Sequence, residues 1–155
     1  MKLNNSKKLI YYIIITFLIG VVPSIPTFKT MSMYQTINKP ALSPPSIVFP
    51  IAWTILYLLM AISIYKINNT SDKKIPKANL IYYLQLIVNA LWTPIFFGLK
   101  AYLFSYIWII ILIILVVTMI ITFYKIDKTA AYLQIPYLLW LIFASYLNYG
   151  ILILN

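Results

Sequence analysis

Three short patterns in this chain bring together residues able to recognise a ligand. Trp53 and Tyr57 are four apart. Asn89, Trp92 and Phe96 recur at three and four, as do Tyr137, Trp140, Ala144 and Asn148. Such spacing puts each set on one face of a helix. Three stripes, each with a tryptophan and two with an asparagine, can line a single pocket with flat aromatic walls and a few donors. Such walls suit a planar, mostly apolar ligand. The plainer reading of Asn89 is a hydrogen bond to a neighbouring helix; spacing alone leaves both open. Ala144 lets either a helix or a ligand approach closely.

The absences narrow the chemistry. The chain has no His and no Cys, so zinc sites and ordinary haem ligation lack their donors. Ser-His-Asp and Cys-His catalysis are excluded. The two acidic residues, Asp72 and Asp127, fall in polar loops, which argues against a carboxylate pair or a proton relay in the membrane. Chemistry must come from aromatic rings, amides, hydroxyls or the ligand itself.

These residues need elements to hold them, and composition says which. Of 155 residues, 63% are hydrophobic and 9% charged, too apolar for a soluble domain. The reading is an all-α membrane protein, a five-helix transmembrane bundle with no separate soluble domain. The spans are expected at about 9–28, 47–65, 78–99, 101–123 and 130–154, each near the roughly 20 residues that cross a bilayer. The first is read as a retained helix rather than a signal peptide, ended or kinked by Pro23 and Pro26. The short link around Lys100 makes spans three and four antiparallel neighbours. Span four, nearly all Ile, Leu and Val from Ile107 to Ile121, is expected as an outer wall, with Trp108 in packing or lipid contact. Tyr11, Tyr12, Tyr65, Tyr102, Tyr106, Tyr124 and Tyr132 sit near span ends, where an interfacial belt is expected.

The net charge is +10, from twelve lysines against two aspartates. The lysines lie between apolar runs, so topology explains them and nucleic acid is not an expected partner. Lys2, Lys7, Lys8, Lys66, Lys73, Lys74, Lys77, Lys125 and Lys128 fall on one side; Lys29, Lys39 and Lys100 fall on the other. This bias places the N-terminus in the cytoplasm and the C-terminus outside, in a multi-pass protein of the cell membrane.

Between spans one and two, about residues 29–46 form a proline-broken loop. Pro40, Pro44 and Pro45 stiffen it. It is expected as an outward-facing lid that holds Tyr34 over the cavity mouth, with Ser43 or Ser46 capping the helix after it.

With these residues in view, the chain resembles the TspO/MBR family of tryptophan-rich sensory and translocator proteins. The resemblance rests on three blocks: Asn38-Lys39-Pro40 with Pro44-Pro45 and F-P-I-A-W-T-I-L-Y-L-L-M ending at Met60; N-A-L-W-T-P-I-F-F-G-L from Asn89 to Leu99; and I-P-Y-L-L-W-L-I-F-A-S-Y-L-N-Y from Ile135 to Tyr149. It implies five membrane helices, commonly a homodimer, and a pocket under the first loop. That pocket takes porphyrins and, in many members, isoquinoline-carboxamides or sterols. Carried over by position, the ligand-binding residues are Tyr34, Pro40, Pro44, Trp53, Tyr57, Asn89, Trp92, Trp140 and Ala144.

Some bacterial members of the family degrade protoporphyrin IX in light, and Trp53 and Trp140 match the tryptophans assigned to that reaction; whether this chain does so is left open by the resemblance. No cofactor is implied as obligatory. Protoporphyrin IX or haem is the expected ligand, the metal-free ring binding at least as well because bound iron lacks a His or Cys. Movement of tetrapyrroles or lipids, and ligand-responsive sensing, remain open as other classes. The chain departs from the family in places. Met33 and Leu42 stand where Trp is common, and Trp108 where an acidic residue is common. Residues 150–155 lack the basic residue that the proposed sterol pattern needs.

Overall fold

The computed structural model describes residues 5–27 and 29–155, and of Met31 the backbone alone. Five helical segments are long and apolar enough to cross a membrane: Asn5–Thr27, Val48–Ile67, Ile75–Gly98, Tyr102–Tyr124 and Lys128–Leu154. The chain is an all-helical, five-span membrane protein.

Prolines set where helical geometry changes. Helix α1 (Asn5–Val21) gives way to a 3-10 turn over Val22–Thr27, because Pro23 and Pro26 cannot donate to the ladder. Hydroxyls reinforce that turn: Ser24 Oγ donates to the Val21 carbonyl at 2.6 Å, and Thr27 Oγ1 to the Ser24 carbonyl at 2.7 Å. A second 3-10 turn, Met31–Gln35, carries Tyr34. Helix α2 spans Val48–Ile67. Neither Ser43 nor Ser46 caps it: Ile47 holds the N-cap position without a side-chain bond. Two of its first amides are met by the preceding turn instead, Val48 N–H donating to the Pro45 carbonyl at 3.0 Å and Phe49 N–H to the Ser46 carbonyl at 3.3 Å. Pro50 removes a third donor, so a serine cap has little left to satisfy.

Helix α3 (Ile75–Thr93) starts with Pro76 in its first turn and runs into a π turn, Pro94–Gly98. Lys100, at φ 52°, reverses the chain into α4 (Tyr102–Tyr124). Hydropathy predicts the fifth span as one helix from about residue 130. It starts at Lys128 and is broken in two: α5 (Lys128–Tyr132) and α6 (Ile135–Leu154). Asp127 caps α5, its carboxylate accepting from the Ala130 amide at 2.8 Å. The break precedes Pro136, which has no N–H for the carbonyl four residues back.

Helix α1 packs on α2 and α3, and α4 packs between α3 and α6 as well as on α5. Side-chain bonds tie the pairs. Thr16 and Tyr82 hydroxyls meet at 2.6 Å across α1 and α3, and Ser63 Oγ donates to the Ala130 carbonyl at 2.7 Å across α2 and α5. Tyr137 donates to Gln85 Oε1 at 3.0 Å across α6 and α3. The bundle is solid towards the loops that join α2 to α3 and α4 to α5. There Met60, Ala61, Ile64, Ile67, Ala78, Val116, Met119, Phe123 and Ala130 are fully buried. Its outer surface presents Ile10, Ile14, Leu18, Ile114 and Ile121, as a lipid-facing surface requires. Tyr12 is a correction to the belt: it is buried in the core, with Tyr11 exposed beside it.

The lysine-rich end is drawn together by Lys8, which donates to the Asn68 carbonyl and to Asn69 Oδ1, and by a 3.6 Å pair between Lys66 and Asp127. The lid lies at the other end, with the terminus of α6. Asn38 N–H donates to Asn155 Oδ1 at 3.1 Å, Asn38 Nδ2 to the Leu154 carbonyl at 3.2 Å, and Asn155 Nδ2 to the Asn38 carbonyl at 3.0 Å.

Candidate functional site

Beneath the lid the bundle is hollow. A cavity of about 510 Å³ is lined from α1, the lid, α2, α3 and α6, within the roughly 300–1,000 Å³ of small-molecule sites. Six of the nine residues named from the sequence line it: Tyr34, Trp53, Tyr57, Asn89, Trp92 and Ala144. Asn148 and Phe96, from the same stripes, line it too.

Two stacked aromatic pairs shape the walls. On α2, Trp53 and Tyr57 stack with centroids 5.5 Å apart and planes 30° from parallel. Trp92 at the end of α3 and Phe96 in the π turn after it stack at 4.9 Å and 19°. Each pair is a product of helical spacing at four, which lays one side chain over the next turn. At the lid, Tyr34 meets Phe49 edge-on at 5.3 Å.

The other three stand around the cavity rather than on its lining. Trp140 is half-buried behind the α2 wall, edge-on to Trp53 at 6.5 Å and to Phe49 at 6.0 Å. Pro40 seats the lid against Gly150 of α6. Pro44 is a half-buried lid residue.

The polar groups are few and pointed in their chemistry. Tyr34 Oη, Asn89 Nδ2 and Trp92 Nε1 are buried without a hydrogen-bond partner, and all three belong to lining residues. Natural proteins rarely leave buried donors unmet unless something else meets them. Burial raises the Tyr34 phenol above its ordinary pKa, and the neighbouring Ser43 hydroxyl partly offsets that. Ser43 Oγ is likewise buried without a partner, the two hydroxyls lying near each other outside bonding geometry. Lys39 folds over the lid: its Nζ donates to the Tyr34 carbonyl at 2.9 Å and sits 4.9 Å from that ring's centroid.

Asn148 has a structural bond as well, paired with Ser105 of α4 at 3.2 Å. Trp108 donates from Nε1 to the Val88 carbonyl at 2.7 Å, packing as expected rather than joining the site. No residue of α4 is on the lining, in keeping with an outer wall. The sequence reading missed the first span, where α1 contributes Phe17, Gly20 and Val21 and the 3-10 turn after it contributes Ser24, and it missed Phe49 of α2. The signal available was Gly20, a lone glycine in an otherwise bulky apolar run.

The matching family model, TspO/MBR family, covers residues 12–154. A "Tryptophan-rich protein TspO" of Chlorobaculum tepidum is 37% identical over 124 residues, covering 79% of this chain and 78% of that protein. One of the same name from Archaeoglobus fulgidus is 36% identical over 152 residues, covering 97% and 99%. The human "Translocator protein" is 30% identical over 120 residues, covering 75% and 70%. The match along nearly the whole chain agrees with the five spans and the tryptophan-walled hollow: this chain belongs to the TspO/MBR family.

Proposed function

We propose that the protein binds porphyrins and similar planar, largely apolar molecules in the cavity beneath the lid. One observation carries this reading: a hollow between stacked aromatic pairs whose lining residues hold three buried, unpartnered polar atoms. The ring lies against Trp53, Tyr57, Trp92 and Phe96. Asn89, Trp92 and Tyr34 donate to its polar edge, and Lys39 offers charge to a carboxylate at the mouth. The resemblance to porphyrin-binding relatives supports the same class.

Affinity is bounded. A ligand of about 40 heavy atoms at roughly 0.3 kcal/mol each gains at most about 12 kcal/mol. A ring already dissolved in lipid gains less from apolar burial than one arriving from water. The lid takes the outer face in this reading, with the lysine-rich end in the cytoplasm.

In light, the bound ring would supply the excited state. It would either pass energy to dissolved dioxygen to give reactive oxygen, or take one electron from Trp53 or Trp140, leaving that indole oxidised until an outside reductant restores it. Tryptophan fluorescence tests the binding. Protoporphyrin IX added to the detergent-solubilised protein quenches it saturably, and less sharply in Trp53→Phe. Quenching that never saturates, or that free tryptophan reproduces, rules out a site.

A further inference from the structure

We infer that Gly20 sets the breadth of ligand the cavity accepts, acting through Tyr57; this rests on the binding proposed above. Gly20 lines the cavity and is buried. A Cβ built there stands 2.5 Å from Tyr57 Cζ, 2.6 Å from Cε1 and 2.8 Å from the hydroxyl, far inside van der Waals contact. The phenol lies directly on the α1 backbone and donates to the Gly20 carbonyl at 3.2 Å. Only a residue without a side chain allows that seat.

The ring has no slack elsewhere. Phe17, one turn before Gly20, meets it edge-on at 5.5 Å, and Trp53 stacks on it. Trp53 is backed by Tyr137 at 6.2 Å and by Trp140 at 6.5 Å. A side chain at position 20 therefore drives the Tyr57 ring into the one space left, the cavity. Tyr57 lies back because Gly20 is bare, and the cavity keeps the room that the displaced ring would otherwise take. Gly20 is thus a positioning residue that selects between broad and narrow planar ligands.

The experiment measures dissociation constants of two probes, protoporphyrin IX and an isoquinoline-carboxamide, in detergent. Gly20→Ala weakens the macrocycle at least tenfold and the bicyclic probe less than threefold. In a Tyr57→Leu background, with no ring to displace, Gly20→Ala leaves the ratio of the two affinities unchanged. General destabilisation weakens both probes alike, so an unchanged ratio in Gly20→Ala overturns the inference. Should Gly20→Ala not be recovered folded, Tyr57→Leu alone is read. It moves the ratio of the two affinities from the wild-type value, and an unmoved ratio overturns the inference. Failure of the wild type to bind protoporphyrin IX sinks the binding reading instead, before any variant is compared.

Discussion

Pro40 of the lid rests on the bare backbone of Gly150: a Cβ built at Gly150 stands 2.6 Å from the proline Cγ and 2.7 Å from its Cβ. The lid's fit is therefore set by one missing methyl group on α6. Gly150→Ala lifts Pro40 off its seat or strains α6, at about 1–3 kcal/mol for overpacking. The expected result is a lower melting temperature and faster ligand release. Release at the wild-type rate shows that the seat does not govern the lid.

The same lid is pinned by the amide exchange between Asn38 and Asn155. Each bond contributes about 0.5–1.5 kcal/mol net, and these are exposed, so the low end applies. Asn155→Ala removes the bonds made by that side chain and leaves the cavity walls untouched. Hydrogen exchange over residues 29–46 should rise severalfold while α2 and α3 keep their protection. Equal exchange in both proteins assigns the pinning to Pro40 and to the Asn38 bond on the Leu154 carbonyl.

Trp53 and Trp140 occupy different layers, and their variants should part accordingly. Trp53→Phe removes indole from the lining and is expected to weaken protoporphyrin IX about tenfold. Trp140→Phe should stay within about threefold of wild type, since Trp140 is off the lining and meets the cavity wall only at the edge of Trp53 and Phe49. Bleaching under one lamp, compared at equal occupancy, then separates binding from photochemistry. Equal bleaching in all three proteins removes both indoles from the light reaction.

Tyr34 gives an alkaline signature. Its folded phenol titrates above the ordinary 10.0, chiefly through burial. The unfolded phenol ionises first as pH rises, so the stability this residue contributes is intact below pH 10.0 and falls from there up to the folded pKa. Tyr34→Phe should abolish that part of the alkaline loss, read as the difference between the two melting curves above about pH 10. Parallel curves there place the phenol in an ordinary solvent environment.

The walls were legible because α2, α3 and α6 are regular helices through most of the residues concerned, and the π turn that carries Phe96 keeps it stacked on Trp92. Trp53 with Tyr57, and Asn89 with Trp92 and Phe96, keep the faces that their spacing implies. Trp140 shows where periodicity coarsens. Eight residues at about 100° each leave it about 80° round the helix from Asn148, far enough to face α2 instead of the hollow. Hydropathy could not show the break at Leu133–Gln134, because no charge interrupts the run from Ala130 to Leu154. Nor could it show α1 as a wall: the lone Gly20 marks a close approach without saying to what, and the answer is a tyrosine 37 positions away.

The solid packing below the hollow has its own consequence. With Met60, Ile64, Val116 and Met119 sealed from solvent, the bundle in this state is a cup and not a pipe. Whatever enters beneath the lid departs by the way it came, or else by helices parting along their length. Passage from one leaflet to the other therefore calls for a second arrangement of this bundle, one in which those methionines and branched chains give way.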